Sequence, residues 1–159
     1  MEKLSTITTS SDETIAFAER FALTLKPGSV LCLEGDLGSG KTTFIKGVAA
    51  GLGLPRSEQV KSPTFVLMHV YRTKIPLYHF DCYRIDSVDE LANIGVGDFA
   101  ADPGAICCIE WAEKAGDLIP PHAYHVRLAI LGECERKIDI VCPKAVADVK
   151  RSGKGRRMT

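Results

Sequence analysis

An α/β fold with flanking helices and antiparallel hairpin strands is predicted from three features of the sequence. A short apolar run, "SVLCLE", leads into the glycine-rich "EGDLGSGKTT" and then into the helix-like "KTTFIKGVAAGLG". A second apolar run, "GAICCIE", has the length and turn-bounded flanks of a buried strand. Two pairs of runs, "TFVLMHVY" with "PLYHFDCY" and "AYHVRLAIL" with "RKIDIVC", alternate closely enough to form hairpins. At 159 residues the chain has room for one domain with its own core.

The first element predicted is a helix in "TTSSDETIAFAERFALTL". Ser10 is its cap, and Glu13 three residues later completes a capping box. Ile15, Phe17, Ala18, Phe21, Ala22 and Leu25 follow at near-helical spacing, and Pro27 with Gly28 stops the run. "SVLCLE" is the first strand, and the polar residues before Ser10 carry no strand assignment. The helix after the glycine loop ends at Gly51 and Gly53. "RSEQVKSPTF" is a polar connection, and the first hairpin follows it. "DSVDELANIG" is a short helix with Asp86 or Ser87 as cap and Gly95 as stop. "GAICCIE" and the second hairpin complete the domain, assigned to residues 1–145. Residues 146–159 contain "VKRSGKGRRMT" and are expected to form a flexible basic tail.

Composition excludes more than it selects. Lys plus Arg and Asp plus Glu each total 20, so net charge argues neither for nor against a nucleic-acid partner. The polar N-terminus lacks the apolar core of a signal peptide, and no apolar run approaches membrane-spanning length. A cytoplasmic protein with no membrane partner is expected. The six cysteines form no C-x-x-C pair and no zinc-type spacing with histidine, and are read as reduced core residues.

The chemistry centres on Gly35–Thr43, which fits the phosphate-binding pattern G-x-x-x-x-G-K-[ST]. Gly38 and Gly40 allow a tight turn that aims successive N–H groups at phosphate oxygens. The following helix adds the positive end of its dipole. Asp36, Gly38, Ser39, Gly40, Lys41, Thr42 and Thr43 are the candidate nucleotide contacts. Lys41 supplies a charge for the β- and γ-phosphates, and the Thr42 hydroxyl is a Mg²⁺ ligand. A second acid is needed at the end of a neighbouring strand. Glu110 ends "AICCIE" and Asp81 ends "LYHFD". Either can bind Mg²⁺, directly or through water, or orient an attacking water. Ser62 and Thr64 flank Pro63 in "SPTF", where a hydroxyl can sense the γ-phosphate. His79, two residues before Asp81, is read as structural. Trp111 either packs in the core or covers the nucleotide or a partner surface.

No N-K-x-D guanine reader, no D-x-x-G and no arginine-rich lid follows the glycine loop, which favours ATP over GTP. A small kinase phosphorylating an unidentified acceptor and a nucleotide-gated binding module are both compatible with these residues.

"GDLGSGKTT", "VKSPTF", "YHFDCYR", "LANIGVGDF" and "CCIEW", in that order, closely resemble the TsaE family, formerly YjeE, bacterial ATPases of tRNA threonylcarbamoyladenosine biosynthesis. The resemblance runs from about residue 5 to about residue 140, and "SSDETIAFAERFA" and Arg136 also fit it. It implies a single P-loop NTPase domain with a mostly parallel central sheet, using ATP and Mg²⁺. It implies that Lys41 and Thr42 serve phosphate and metal, that Glu110 is the Mg²⁺-linked acid and that Asp81 is an essential aspartate near the γ-phosphate. Ser11 and Arg136 would lie near the base or ribose. The resemblance further implies weak ATP hydrolysis by the isolated protein and action with the TsaB–TsaD pair, which ATP binding and hydrolysis reset between turnovers. Contact with tRNA would then be indirect, through that complex. The chain departs from the family pattern at Cys82, where leucine is common, and in its basic extension.

Overall fold

The computed structural model describes residues 2–55, 60–63 and 67–143. Thr64, one of the candidate nucleotide contacts, and the basic tail lie outside the described residues. The elements in chain order are β1 (Lys3–Thr8), α1 (Ser11–Ala22), β2 (Val30–Glu34), α2 (Lys41–Gly51), β3 (Met68–Tyr71), β4 (Leu77–Asp81), α3 (Val88–Ile94), α4 (Val96–Ala100), β5 (Ile106–Glu110), a 3-10 segment (Ala112–Leu118), β6 (Tyr124–Ile130) and β7 (Arg136–Val141).

One seven-stranded sheet runs in the order β1-β7-β6-β2-β5-β4-β3. The central pairings β6/β2, β2/β5 and β5/β4 are parallel. The pairings nearer the edges, β1/β7, β7/β6 and β4/β3, are antiparallel. The expected α/β class with two hairpins and a mostly parallel centre is therefore what forms. Strands β2 and β5 are buried on both faces, as parallel strands between helical layers must be. On β2, Leu31 and Leu33 join Phe44, Ile45 and Val48 of α2 in one core, while Val30 and Cys32 join Phe80, Leu91 and Ile109 in the other. All six cysteines are free. Burial pushes the thiols of Cys32 and Cys82 up to about 12, so neither supplies a thiolate at neutral pH.

Local signals account for most boundaries. The Ser10 hydroxyl accepts from the Glu13 N–H at 3.1 Å, the first half of the expected capping box. The reciprocal half is displaced by one residue: the Glu13 carboxylate accepts from the Thr9 N–H at 2.5 Å. Helix α1 ends at Ala22 rather than at Pro27, its last turn closing through Leu23 N–H to Arg20. Of the two caps offered for α3, Ser87 is the one used, accepting from the Glu90 N–H at 3.2 Å. Gly95 stops α3 in a left-handed conformation and at once starts α4, which lacks a signal of its own. Strand β1 was not expected either. Only Thr8 of its six residues is buried, so its pairing with β7 leaves little trace in the hydrophobic pattern. Of the run read as "TFVLMHVY", residues 64–66 lie outside the described residues, and β3 begins at Met68, after Leu67, which is left-handed at φ 68°.

Helices α1 and α2 cross with almost no space between them. A Cβ on Gly47 would lie 2.5 Å from Ala18 Cβ and closer still to the Ile15 carbonyl oxygen. A Cβ on Gly51 would lie 2.6 Å from Glu19 O and 2.7 Å from Ala22 Cβ. Gly47→Ala is therefore expected to destabilise the protein by about 1–3 kcal/mol, as overpacking does. Thermal unfolding should fall by several degrees. Gly132→Ala, whose Cβ would meet nothing nearer than Glu135 Cβ at 3.8 Å, is the control and should leave the melting temperature almost unchanged.

Candidate active site

The C-terminal ends of the parallel strands collect the polar groups, as in open α/β sheets generally. The glycine loop leaves β2 and enters α2 at Lys41. The flanking strands end in Glu110 on β5 and Asp81 on β4, which are register partners. Gly38 and Gly40 adopt φ of 81° and 104°, left-handed values that an L side chain resists, so the loop closes tightly over the first turn of α2. Ser39 is fully buried beneath it, and its hydroxyl has no hydrogen-bond partner among the described residues.

Lys41 is buried, and its ammonium folds back onto its own loop. Its Nζ donates to the carbonyls of Gly35 at 2.6 Å and Asp36 at 3.0 Å and lies 4.2 Å from the centre of the Trp111 ring. Burial draws its pKa below the usual lysine value, opposed by the carboxylates of Glu110, Glu113, Asp81 and Asp36. The Thr42 hydroxyl sits 3.1 and 3.0 Å from the two oxygens of Glu110. Glu110 Oε2 also accepts from His79 Nε2 at 2.6 Å. Asp81 faces the same space, accepting from the Tyr83 N–H at 2.9 Å through Oδ1 and from the Ser62 hydroxyl through Oδ2.

These groups line a cleft of about 390 Å³ that includes Gly38, Lys41, Thr42, Thr43, Ser62, Asp81 and Glu110. Trp111, left open between core and cleft, takes its place on the wall, with its backbone left-handed at φ 58° and its ring 5.0 Å from that of Tyr83. A second recess of about 170 Å³ wraps the other side of the loop and shares Gly38, Gly40 and Thr43 with the first. Ser11 and Arg136 line this recess, so the structure brings both to the loop but away from Asp81 and Glu110. The Arg136 guanidinium donates to the carbonyls of Gly132 and Glu135, each at 2.9 Å, and to that of Gly38 at 3.2 Å, tying the β6–β7 turn to the loop. Asp36 lies exposed on the loop and takes part through its backbone carbonyl.

Sequence reasoning missed three residues here: His79, read as structural, is the buried partner of Glu110, and Tyr83 and Arg84 line the cleft with Asp81. The signal for the last two was present in "DCYR", but they lie past the end of β4, where strand periodicity no longer places a side chain.

Among the described residues no group of three or more His, Cys, Asp or Glu side chains is arranged to hold a metal. Mg²⁺ does not need such a cage, because it binds through one or two protein oxygens together with phosphate and water. The hydroxyl of Thr42 and the carboxylate of Glu110 are hard oxygen donors, already side by side, and so fit this ion.

The family model described as "Threonylcarbamoyl adenosine biosynthesis protein TsaE" matches residues 8–138. The chain is 41% identical over 139 residues to the tRNA threonylcarbamoyladenosine biosynthesis protein TsaE of Bacillus subtilis, covering 87% of this chain and 85% of that protein. It is 35% identical over 134 residues to the protein of the same description from Treponema pallidum, covering 84% of this chain and 97% of that one. The crystal structure of YdiB from Bacillus subtilis superposes with a TM-score of 0.73 at 33% identity, covering 99% of this chain and 97% of that one. The family match runs from the last residue of β1 into β7 and so takes in every element that lines the cleft; the chain belongs to the TsaE family.

Proposed function

We propose that this protein is an ATP hydrolase of tRNA threonylcarbamoyladenosine biosynthesis that works as an energy-coupling subunit on a TsaB–TsaD-type complex, reaching tRNA only through that complex. The observation that carries the reading is the contact of Thr42 with Glu110 at the mouth of the glycine loop, with Lys41 beside it and Asp81 in register on the next strand. Membership of the TsaE family supports the pathway. Residues 1–145 are read as the P-loop ATPase domain.

Bound Mg²⁺ would neutralise charge on the β- and γ-phosphates, held by Thr42 and Glu110. The remaining work belongs to the chain. The loop N–H groups and the N-terminus of α2 receive the phosphates. Lys41 exchanges the two carbonyls it holds for phosphate oxygens when the nucleotide binds. Asp81, fixed by Tyr83 and Ser62, orients a water and accepts its proton. Ser11 and Arg136, on the far side of the loop, are assigned to the base or ribose. Thr64, although outside the described residues, is assigned to the γ-phosphate by its place next to Ser62 and Pro63.

The test is a reconstituted threonylcarbamoylation reaction on tRNA with and without this protein. Multiple turnover should require the protein and release phosphate from ATP in proportion. Turnover undiminished by its omission overturns the reading, and a phosphorylated acceptor in place of free phosphate moves the protein to the kinases.

A further inference from the structure

His79 stands in the middle of β4 and is completely buried, yet packing alone does not account for it. Its side chain makes one polar contact, Nε2 to Glu110 Oε2 at 2.6 Å. The carboxylate can only accept, so Nε2 is the donor. Its other nitrogen, Nδ1, is buried without a hydrogen-bond partner among the described residues. Such a group carries a desolvation cost that an apolar residue of similar size would avoid. The rings of Tyr71 and His69, with centroids 6.3 and 6.5 Å away, hold the imidazole from the outer side of the sheet without hydrogen-bonding to it.

The contact matters because of what Glu110 does with its oxygens. Oε2 takes the His79 N–H, whereas the one hydrogen of the Thr42 hydroxyl lies within reach of both carboxylate oxygens, at 3.1 Å from Oε1 and 3.0 Å from Oε2. A carboxylate at the end of a strand otherwise turns about its last side-chain torsion, which is broad and nearly two-fold. A donor fixed in the core removes that freedom. Buried partners of metal-ligating side chains act in this way and change metal affinity by about 10–100-fold when removed.

From this geometry we infer that His79 is a positioning residue, one that pins Oε2 of Glu110 from within the core and so presents the carboxylate, together with Thr42, in a single orientation towards Mg²⁺. The inference rests on the assignment of Thr42 and Glu110 to Mg²⁺ made above. It assigns His79 neither a contact with the nucleotide nor a part in proton transfer.

The test compares two variants of nearly equal shape in the full chain. His79→Gln keeps an N–H donor near the position of Nε2, and His79→Met replaces it with an apolar chain of similar length. Affinity for a fluorescent ATP analogue is measured across a Mg²⁺ titration and again in EDTA, with thermal unfolding recorded for each protein. In His79→Met the Mg²⁺ concentration for half-saturation should rise about 10–100-fold. The affinity in EDTA should be unchanged, and His79→Gln should remain within a few-fold of the wild type. Equal Mg²⁺ dependence in the two variants overturns the inference. A wild type whose nucleotide affinity ignores Mg²⁺ overturns the metal assignment itself, and the two failures are thereby told apart. If the methionine variant does not fold, His79→Asn takes its place. Its amide is one methylene too short to reach Glu110, and the same contrast with glutamine is expected.

Discussion

Replacing Lys41 with alanine is expected to lower ATP turnover by about 10²–10³-fold, the size of effect seen when one preorganised donor is removed from a developing negative charge. Among the described residues Lys41 is the cation held inside the loop, and it is buried, partly stripped of water and backed by the Trp111 face. In that setting its charge is weakly screened and acts strongly on a phosphate. The fold should survive the change, because α2 is anchored by Phe44, Ile45 and Val48 rather than by its first residue. The measurement is phosphate release together with nucleotide affinity and melting temperature. Turnover within a few-fold of the wild type, in a folded protein, would remove the loop from the reaction.

Asp81 should behave differently. Asp81→Ala is expected to leave ATP binding nearly intact while turnover falls by about 10²–10⁴-fold, the usual contribution of a positioned general base. The carboxylate also holds the Tyr83 N–H, so alanine disturbs the turn after β4 as well as the chemistry. Asp81→Asn separates the two effects. Its carbonyl can still accept from Tyr83, but it cannot take a proton. If both variants bind ATP and both stall, the proton role stands. Loss of nucleotide binding in the asparagine variant would instead place Asp81 among the direct metal ligands.

The fold was legible wherever a residue announces its own local conformation. The glycine loop, the Ser10 and Ser87 caps, and the alternating hairpin runs are statements about neighbours in sequence, and each found its place. Glu110 and Asp81 could be named because an apolar strand that ends in an acid points to the sheet's C-terminal edge. Strand β1 was hidden for the opposite reason. It is an edge strand held by β7, with Leu4 and Ile7 exposed, and no periodicity marks it. The bond between His79 and Glu110 was hidden because it depends on the register of β4 against β5, which no local pattern encodes. Spacing placed His79 beside Asp81 in the chain, whereas the sheet points its ring at Glu110.

The crossing of α1 and α2 also fixes the frame of the recess beside the glycine loop. With no side chain at Gly47 or Gly51 to act as a spacer, the two helices interlock and cannot slide past one another. Helix α2 starts directly from the glycine loop, and α1 starts at Ser11 in the recess on the other side of that loop. The glycine loop and the Ser11 end of the recess are therefore kept at a set distance by helix packing that lies away from both.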